Sequence, residues 1–426
     1  MNEVDFEVSY EKKSGSVYRN ISIGANRFQT RVDDMCENSS AYKSFCASIL
    51  SKQPEYLSKQ KNKKINFIDL FCGGGGLSYG VQESLKALGH SSKLLAACDL
   101  DSDALKLIKK HFNPYVIKNN SVETLVKYAV DPSGRLNGFI HSPEILDSEF
   151  AQFKGKVDLL IGGPPCQGHS NLNNHTRRAD ERNRLYYVMP ALAIALDIPV
   201  VIIENVRQVI HSHEDVVENT KNIFRTYGFK TEEIILDATN FGIAQTRKRH
   251  FLVASKRDFD LSVASVVNKL QSDELMTFDD VNTELPPLDF FNKFLEENSD
   301  LSSENLKRID YLISEQAWDL PNKFRPECHR EGTTYKSVYG RVFPDKPMGT
   351  ITTGFNSPGR GRFVHPREKR TINIREAGRI QSFPDYYWKL TEEIGFVRNN
   401  YAKIIGDAVP PKMIEPIIFS LSKHFS

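Results

Sequence analysis

Only six cysteines occur in 426 residues, at positions 36, 46, 72, 98, 166 and 328, and no two of them form a Cys-x-x-Cys pair. That scatter excludes a disulfide-stapled scaffold and a structural zinc module, and it fits reduced thiols in a cytoplasmic setting. No metal site is expected. No apolar run approaches the roughly 18 residues of a membrane span, which excludes a transmembrane protein. The opening stretch MNEVDFEVSY carries acid where a signal peptide carries a basic patch and an apolar core, so the chain is expected to stay in the cytoplasm. There is no internal repeat and no long low-complexity tract. Charge of one sign is also lacking, since 56 basic against 54 acidic residues leave +2.

What is present is enough apolar material, 40% of residues, for a chain of this length to bury two or three domain cores unaided. Charge is uneven along it. From Asp258 to Arg330 there are 16 acidic and 7 basic residues, whereas from Glu331 to Ile380 there are 4 acidic and 10 basic. The basic block holds Arg360, Arg362, Arg367, Lys369, Arg370, Arg375 and Arg379. It suits a phosphate backbone; a solvated charged face fits it too.

Residues 1–64 read as a polar, irregular extension of unknown role. From Ile65 the pattern becomes strand, glycine loop, helix and strand: INFIDLF, CGGGG, LSYGVQESLKAL, KLLAACDLD. Further short apolar strands are expected around 157–161, 199–203, 233–236 and 250–253, with a helix in YYVMPALAIAL. Such alternation predicts an α/β doubly wound, Rossmann-like parallel sheet. After about Lys256 the regularity ends. Acidic segments, Pro286-Pro287, a helix near Asn305–Glu315 and a Gly/Thr/Pro-rich run predict a second, smaller, irregular domain. We therefore expect a catalytic domain over 65–257 and 386–426, with an insertion over 258–385.

Three stretches carry chemistry. The loop Cys72-Gly73-Gly74-Gly75-Gly76 sits between a strand and a helix, where missing side chains let a ligand approach backbone; Ser78 and Tyr79 break the G-x-G-x-x-G pattern of dinucleotide sites. The next strand ends at Asp99, suited to ribose hydroxyls. Loop and acid together indicate a nucleoside cofactor, with NAD, FAD and S-adenosylmethionine all open at this point. In VDLLIGGPPCQGHS a strand runs into a rigid Gly-Gly-Pro-Pro turn that would project Cys166 at the carboxyl edge of the sheet. In IPVVIIENV a second strand carries Glu204 to the same edge, and its apolar lead-in predicts burial and a raised pKa. In GIAQTRKRHFLVA, Arg247 and Arg249 are two apart and face one side of a strand.

A thiol nucleophile, an acid, guanidinium groups and a nucleoside cofactor fit methylation at a carbon that is not itself nucleophilic. Cytosine C5 is such a carbon. Addition of the Cys166 thiolate to C6, helped by Glu204 at N3, would build an enamine whose C5 attacks a sulfonium methyl.

Six motifs stand in the order of one family. DLFCGGGGLSYG (69–80), GGPPCQGHS (162–170), ENV (204–206), QTRKR (245–249), REAGRIQSFPD (375–385) and IGDAVPP (405–411) resemble those of the DNA (cytosine-5) methyltransferases, over nearly everything from Ile65 to Ile417. The resemblance implies that Cys166 is the nucleophile, that Glu204 contacts cytosine N3, and that Arg249 contacts O2 with Arg247 assisting. It implies S-adenosylmethionine as cofactor, bound by Phe71, Gly73, Gly74, Gly75, Gly76, Asp99, Leu100, Asn120, Pro165, Leu185, Asp407 and Val409. Residues 258–385 would be the target recognition domain. Duplex DNA would be contacted by Gln167, Ser170, Arg177, Arg178, Arg360 and Arg362, with 168–185 a mobile loop that fills the gap left by the flipped base. His169, Asn120 and Asp407 depart from the family pattern, and Asp407, lacking an amide donor, is expected to weaken cofactor binding.

The implied role is the modification enzyme of a bacterial restriction-modification system, acting as a monomer on nucleoid DNA and paired with a restriction endonuclease. An RNA cytosine-5 methyltransferase would share the catalytic groups; the large second domain favours duplex DNA. A non-catalytic relative would lack Cys166 or Glu204, and a dinucleotide oxidoreductase is disfavoured by the broken glycine fingerprint.

Overall fold

The computed structural model describes residues 5–57, 63–130, 138–165, 185–211, 215–259, 261–290, 292–330 and 337–425. Strands in chain order are β1 (Phe6–Lys13), β2 (Ser16–Ile23), β3 (Asn26–Asp33), β4 (Glu55–Tyr56), β5 (Lys64–Leu70), β6 (Ser91–Cys98), β7 (Val116–Lys118), β8 (Val126–Lys127), β9 (Glu144–Ile145), β10 (Leu159–Gly162), β11 (Val200–Val206), β12 (Lys230–Asp237) and β13 (Lys248–Ser255).

Seven of these form the central sheet, in the order β12-β13-β11-β10-β5-β6-β7. Its central strands β5, β10 and β11 read as near-continuous apolar runs because both faces are covered. Helices Gly76–Ala87 and Ser102–Phe112 close one face, and Val188–Ala195 and Val216–Thr226 the other, each over its own apolar layer. The sheet is parallel apart from β13, which runs antiparallel to both β11 and β12. Only ten residues separate β12 from β13, holding one short 3-10 turn, too few for the crossover a parallel pair needs. The doubly wound sheet expected from the sequence is therefore present and mostly parallel, with β13 its one antiparallel strand.

Residues 5–57 are also more ordered than expected. They fold into a four-stranded antiparallel sheet, β1-β2-β3-β4, with helix Ala41–Ser48 packed on it. The β1–β2 turn, Ser14-Gly15, has two successive positive φ angles, 52° and 72°, as a tight two-residue hairpin requires. Alternation along β2 buries Val17, Arg19, Ile21 and Ile23. This sheet leans on the carboxyl-terminal helix Glu415–Ser420, where buried Arg19 meets Glu415 at 2.7 Å and Phe6 meets Phe419.

Beyond Ser255, helix Ser303–Ser314 anchors a small separate apolar cluster with Leu320, Val338, Tyr339 and Val364. Flanking segments, including Phe278, Leu295, Ile351, Phe355 and Ile374–Ile380, instead join the main core.

Candidate functional site

The carboxyl ends of β5, β6, β10 and β11 open on a cleft of about 440 Å³, within the range of small-molecule sites. Its first half begins where β5 turns into helix Gly76–Ala87. Phe71, Gly73 and Gly75 all take positive φ, which folds the loop tightly enough to bring its amides to the sheet edge. A side chain at Gly74 would strike Ile404, and one at Gly76 would come within 2.5 Å of the Val409 carbonyl, so the glycines hold the carboxyl-terminal segment against the loop. Asp99 is fixed by two backbone donors, Gly73 N–H to Oδ2 and Asp101 N–H to Oδ1, each at 2.8 Å. Each oxygen retains a lone pair.

Asp69, at the buried end of β5, was not picked out from the sequence. Its Oδ2 accepts from Ser78 Oγ at 2.6 Å, while Oδ1 has no hydrogen-bond partner and the side chain lines the cleft. Burial, with the nearby Asp99 charge, pushes its pKa up to about 8 despite the Ser78 bond. The available signal was a lone acid inside the apolar run INFIDLF.

The second half collects the groups expected to act on a substrate. Glu204 is 6% exposed near the end of β11. Its Oε1 lies 2.9 Å from Arg249 Nε on β13, an ion-pair contact off the N–H direction, so that Oε1 accepts no well-aligned hydrogen bond. Burial raises the Glu204 pKa, and the Arg249 and Arg247 charges oppose the rise. Arg247 is buried and donates to the Ile351 carbonyl at 3.2 Å. Gln245 ties the same segment, accepting from Ile351 N–H at 3.0 Å and donating to Gln381 at 2.8 Å. Asn205 donates to the Pro164 carbonyl at 3.2 Å, locking the Gly163-Pro164-Pro165 turn beside Glu204.

The cleft thus brings together Glu204, Arg247 and Arg249 with Phe71, Gly73, Gly74, Gly76, Asp99, Leu100, Asn120, Pro165, Leu185, Asp407 and Val409. Gly75 does not line it: its open side faces Phe112, Ile108 and Tyr387, and it serves as the left-handed cap of the helix. Cys166, Gln167, Ser170, Arg177 and Arg178, with most of the expected loop, lie outside the described residues.

Neither Arg360 nor Arg362 borders the cleft. Arg360 is exposed, whereas Arg362 pairs with Asp319 at 2.5 Å and stacks over Phe343. The rest of the basic block departs from a free phosphate surface. Arg370 is buried in a two-pronged pair with Glu376 at 2.7 and 2.8 Å, and Arg375 and Arg379 converge on buried Asp385 at 2.7 and 2.9 Å. Their charges face inward because each has an internal carboxylate to meet. Arg367 and Lys369 do reach the surface, paired there with Asp279 and Asp310.

Among the described residues, no group of three or more His, Cys, Asp or Glu could hold a metal, and no helix is long and apolar enough to cross a membrane.

A family model described as C-5 cytosine-specific DNA methylase matches residues 65–423. The Type II methyltransferase M1.BsuMI of Bacillus subtilis (strain 168) is 38% identical over 389 residues, covering 88% of this chain and 85% of that protein. The Type II methylase M.HgiDII of Herpetosiphon aurantiacus is 28% identical over 365 residues, covering 84% and 94%. Among solved structures, the Entamoeba histolytica methyltransferase EhMeth matches with a TM-score of 0.54 at 17% identity, over 86% of this chain and all of that one, a likeness of fold.

Proposed function

This chain belongs to the C-5 cytosine-specific DNA methylase family and is a DNA cytosine-5 methyltransferase; on that premise we propose that it methylates a cytosine turned out of a duplex, using S-adenosylmethionine and a transient bond between Cys166 and C6. One observation carries the reading: the two halves of a single cleft pair a nucleoside-sized, acid-lined pocket with a buried carboxyl flanked by two guanidinium groups.

The nucleoside half fits S-adenosylmethionine by the chemistry of its donors and acceptors. Asp99, already oriented by two amides, would accept from the ribose hydroxyls, Phe71 and Leu100 would offer apolar faces to the adenine, and Asn120 would meet its edge. The unpartnered Oδ1 of Asp69 gives a buried acceptor for the amino-acid end. Gly73, with open space where a side chain would stand, leaves room for backbone approach. When bound, S-adenosylmethionine supplies an electrophilic methyl group on sulfur.

In the substrate half, Glu204 would donate its proton or a hydrogen bond to cytosine N3 while Arg249 holds O2. Burial keeps that carboxyl protonated closer to neutrality than an exposed glutamate. Withdrawal of electron density at N3 lets the Cys166 thiolate add to C6. The pair of electrons released to C5 then takes up the methyl group, after which C5 loses its proton, the C6–S bond breaks and the thiolate is restored. Reaching the ring costs a few kcal/mol of unstacking, which phosphate contacts by the second domain over 258–385, including Arg360 and Arg362, and by Gln167, Ser170, Arg177 and Arg178 would offset.

The reading extends to a modification enzyme working alongside a restriction endonuclease, supported by relatives that carry Type II names, and to a chain that acts as a monomer. Bisulfite sequencing of DNA from cells expressing the chain should show one methylated motif, absent with Cys166→Ser. Duplex carrying 5-fluorocytosine at that motif should become covalently attached at Cys166, and transfer RNA should not compete. An unmethylated genome and no trapped complex would sink the proposal.

A further inference from the structure

Two elements form the mouth of the nucleoside half. One is the turn Asp99–Asp101, which leads into helix Ser102–Phe112; the other is the end of helix Arg398–Asp407. Lys403 spans them. Its Nζ donates to Asp101 Oδ2 at 2.5 Å and lies 3.3 Å from Asp407 Oδ2, one turn along its own helix. Asn400 adds a second tie, donating to Asp103 Oδ2 at 2.8 Å.

Asp101 in turn connects the strap to the carboxylate that faces the ligand. Its Oδ1 caps the helix by accepting from Asp103 and Ala104 N–H at 3.0 and 3.1 Å, and its own N–H donates to Asp99 Oδ1. A cation on Asp101 Oδ2 therefore fixes the turn that orients Asp99. It also neutralises crowding: Asp99, Asp101 and Asp407 all line the same mouth, and with no ammonium between them they would repel. Asp407, the acid in the IGDAVPP motif, is thereby given a partner.

We propose that Lys403 is a positioning residue for cofactor retention: paired with Asp101 and Asp407, it straps the two sides of the cleft mouth together and sets how fast the nucleoside ligand leaves. The proposal rests on the S-adenosylmethionine reading above. Lys403 is half exposed, so the strap can open for exchange and is weakened by salt, as exposed ion pairs are.

The test uses the full chain and S-adenosylhomocysteine, with dissociation followed by stopped-flow displacement. Lys403→Met should release the ligand about tenfold faster, Lys403→Arg at close to the parent rate, and the parent rate should climb between low and roughly 0.5 M salt while that of Lys403→Met stays flat. The ligand-free melting temperature should be nearly unchanged. If Lys403→Met releases the ligand at the parent rate, or keeps the parent's salt response, the strap is refuted. A well-folded parent that binds no S-adenosylhomocysteine at all would instead overturn the cofactor reading on which the strap rests.

Discussion

Glu204 and Arg249 face each other from neighbouring strands, two residues out of register, because β13 runs antiparallel to β11 and pairs Val206 with Arg249. Their contact at 2.9 Å sets a buried acid against the charge that opposes its protonation. A fully relieved acid would hold its proton too tightly, and a fully paired one would lose it. The contact is a compromise between the two.

Arg249→Met removes the larger of the two charges that lower the Glu204 pKa, leaving burial less opposed. Activity that needs the protonated carboxyl is present below that pKa and falls as pH rises through it. The alkaline limb of the methylation rate should therefore move to higher pH in the variant, while the maximal rate drops about 10²-fold for want of the proposed O2 contact. Rates measured across pH on one duplex decide this; an unshifted limb would mean that Arg249 does not govern Glu204.

Asp69 carries a second pH signature, this time in stability. Its pKa is pushed up to about 8 in the folded chain from the ordinary aspartate value of 3.8, so between those limits the native state binds a proton that the unfolded state does not. Stability contributed by the protonated form is complete at low pH and is lost as pH rises, by about 1.4 kcal/mol per pH unit at most within that window. Asp69→Asn keeps an acceptor for Ser78 and cannot ionise. Denaturant unfolding should show the variant gaining on the parent steadily from pH 5 to about 8; parallel curves would show that Asp69 does not titrate as its burial requires.

Much of this was legible in the sequence where one local pattern decides one structure. The run IPVVIIENV ends its apolar stretch at Glu204, and the structure has β11 delivering that residue to the edge where β5 delivers the glycine loop. Parallel strands of one sheet, here on either side of β10, end at one edge. What was not legible depends on partners distant in the chain. Arg375 reads as a phosphate ligand until Glu296 and Asp385 are brought to it, and Lys403 reads as an ordinary helix surface residue until Asp101 stands opposite. The hairpin at Ser14-Gly15 was visible in principle, but its strands alternate with long polar side chains, and Arg19 points inward only because Glu415 waits there.

Arg375 is buried and Arg360 exposed, so the two arginines are expected to differ in what their loss does. Arg375→Met takes one of two guanidinium partners from buried Asp385 and should cost about 1.5–3 kcal/mol of stability. Arg360→Ala should leave melting unchanged and reduce the salt slope of DNA binding by about one. Calorimetry and binding titrations at several salt concentrations read both. A stable Arg375→Met with a reduced salt slope would return that arginine to the DNA surface.

Gly76 opposes two principles, and their magnitudes decide between them. As the first residue of helix Gly76–Ala87 it has no left-handed φ, so alanine there should favour the helix by roughly 0.5–1 kcal/mol. Yet the new methyl would lie 2.5 Å from the Val409 carbonyl, which is backbone and cannot rotate aside. Relief requires moving Val409 away from the loop, and Val409 lines the cleft. Overpacking of this kind costs about 1–3 kcal/mol, more than propensity returns. Gly76→Ala should therefore lower the melting temperature and raise KM for S-adenosylmethionine more than it lowers kcat. Gly155→Ala is the control, since φ there is +69° with nothing within 4 Å: it carries backbone strain and no wedge, and should destabilise without touching KM. Were the two variants to shift KM alike, the close approach at Gly76 would not be what shapes the pocket.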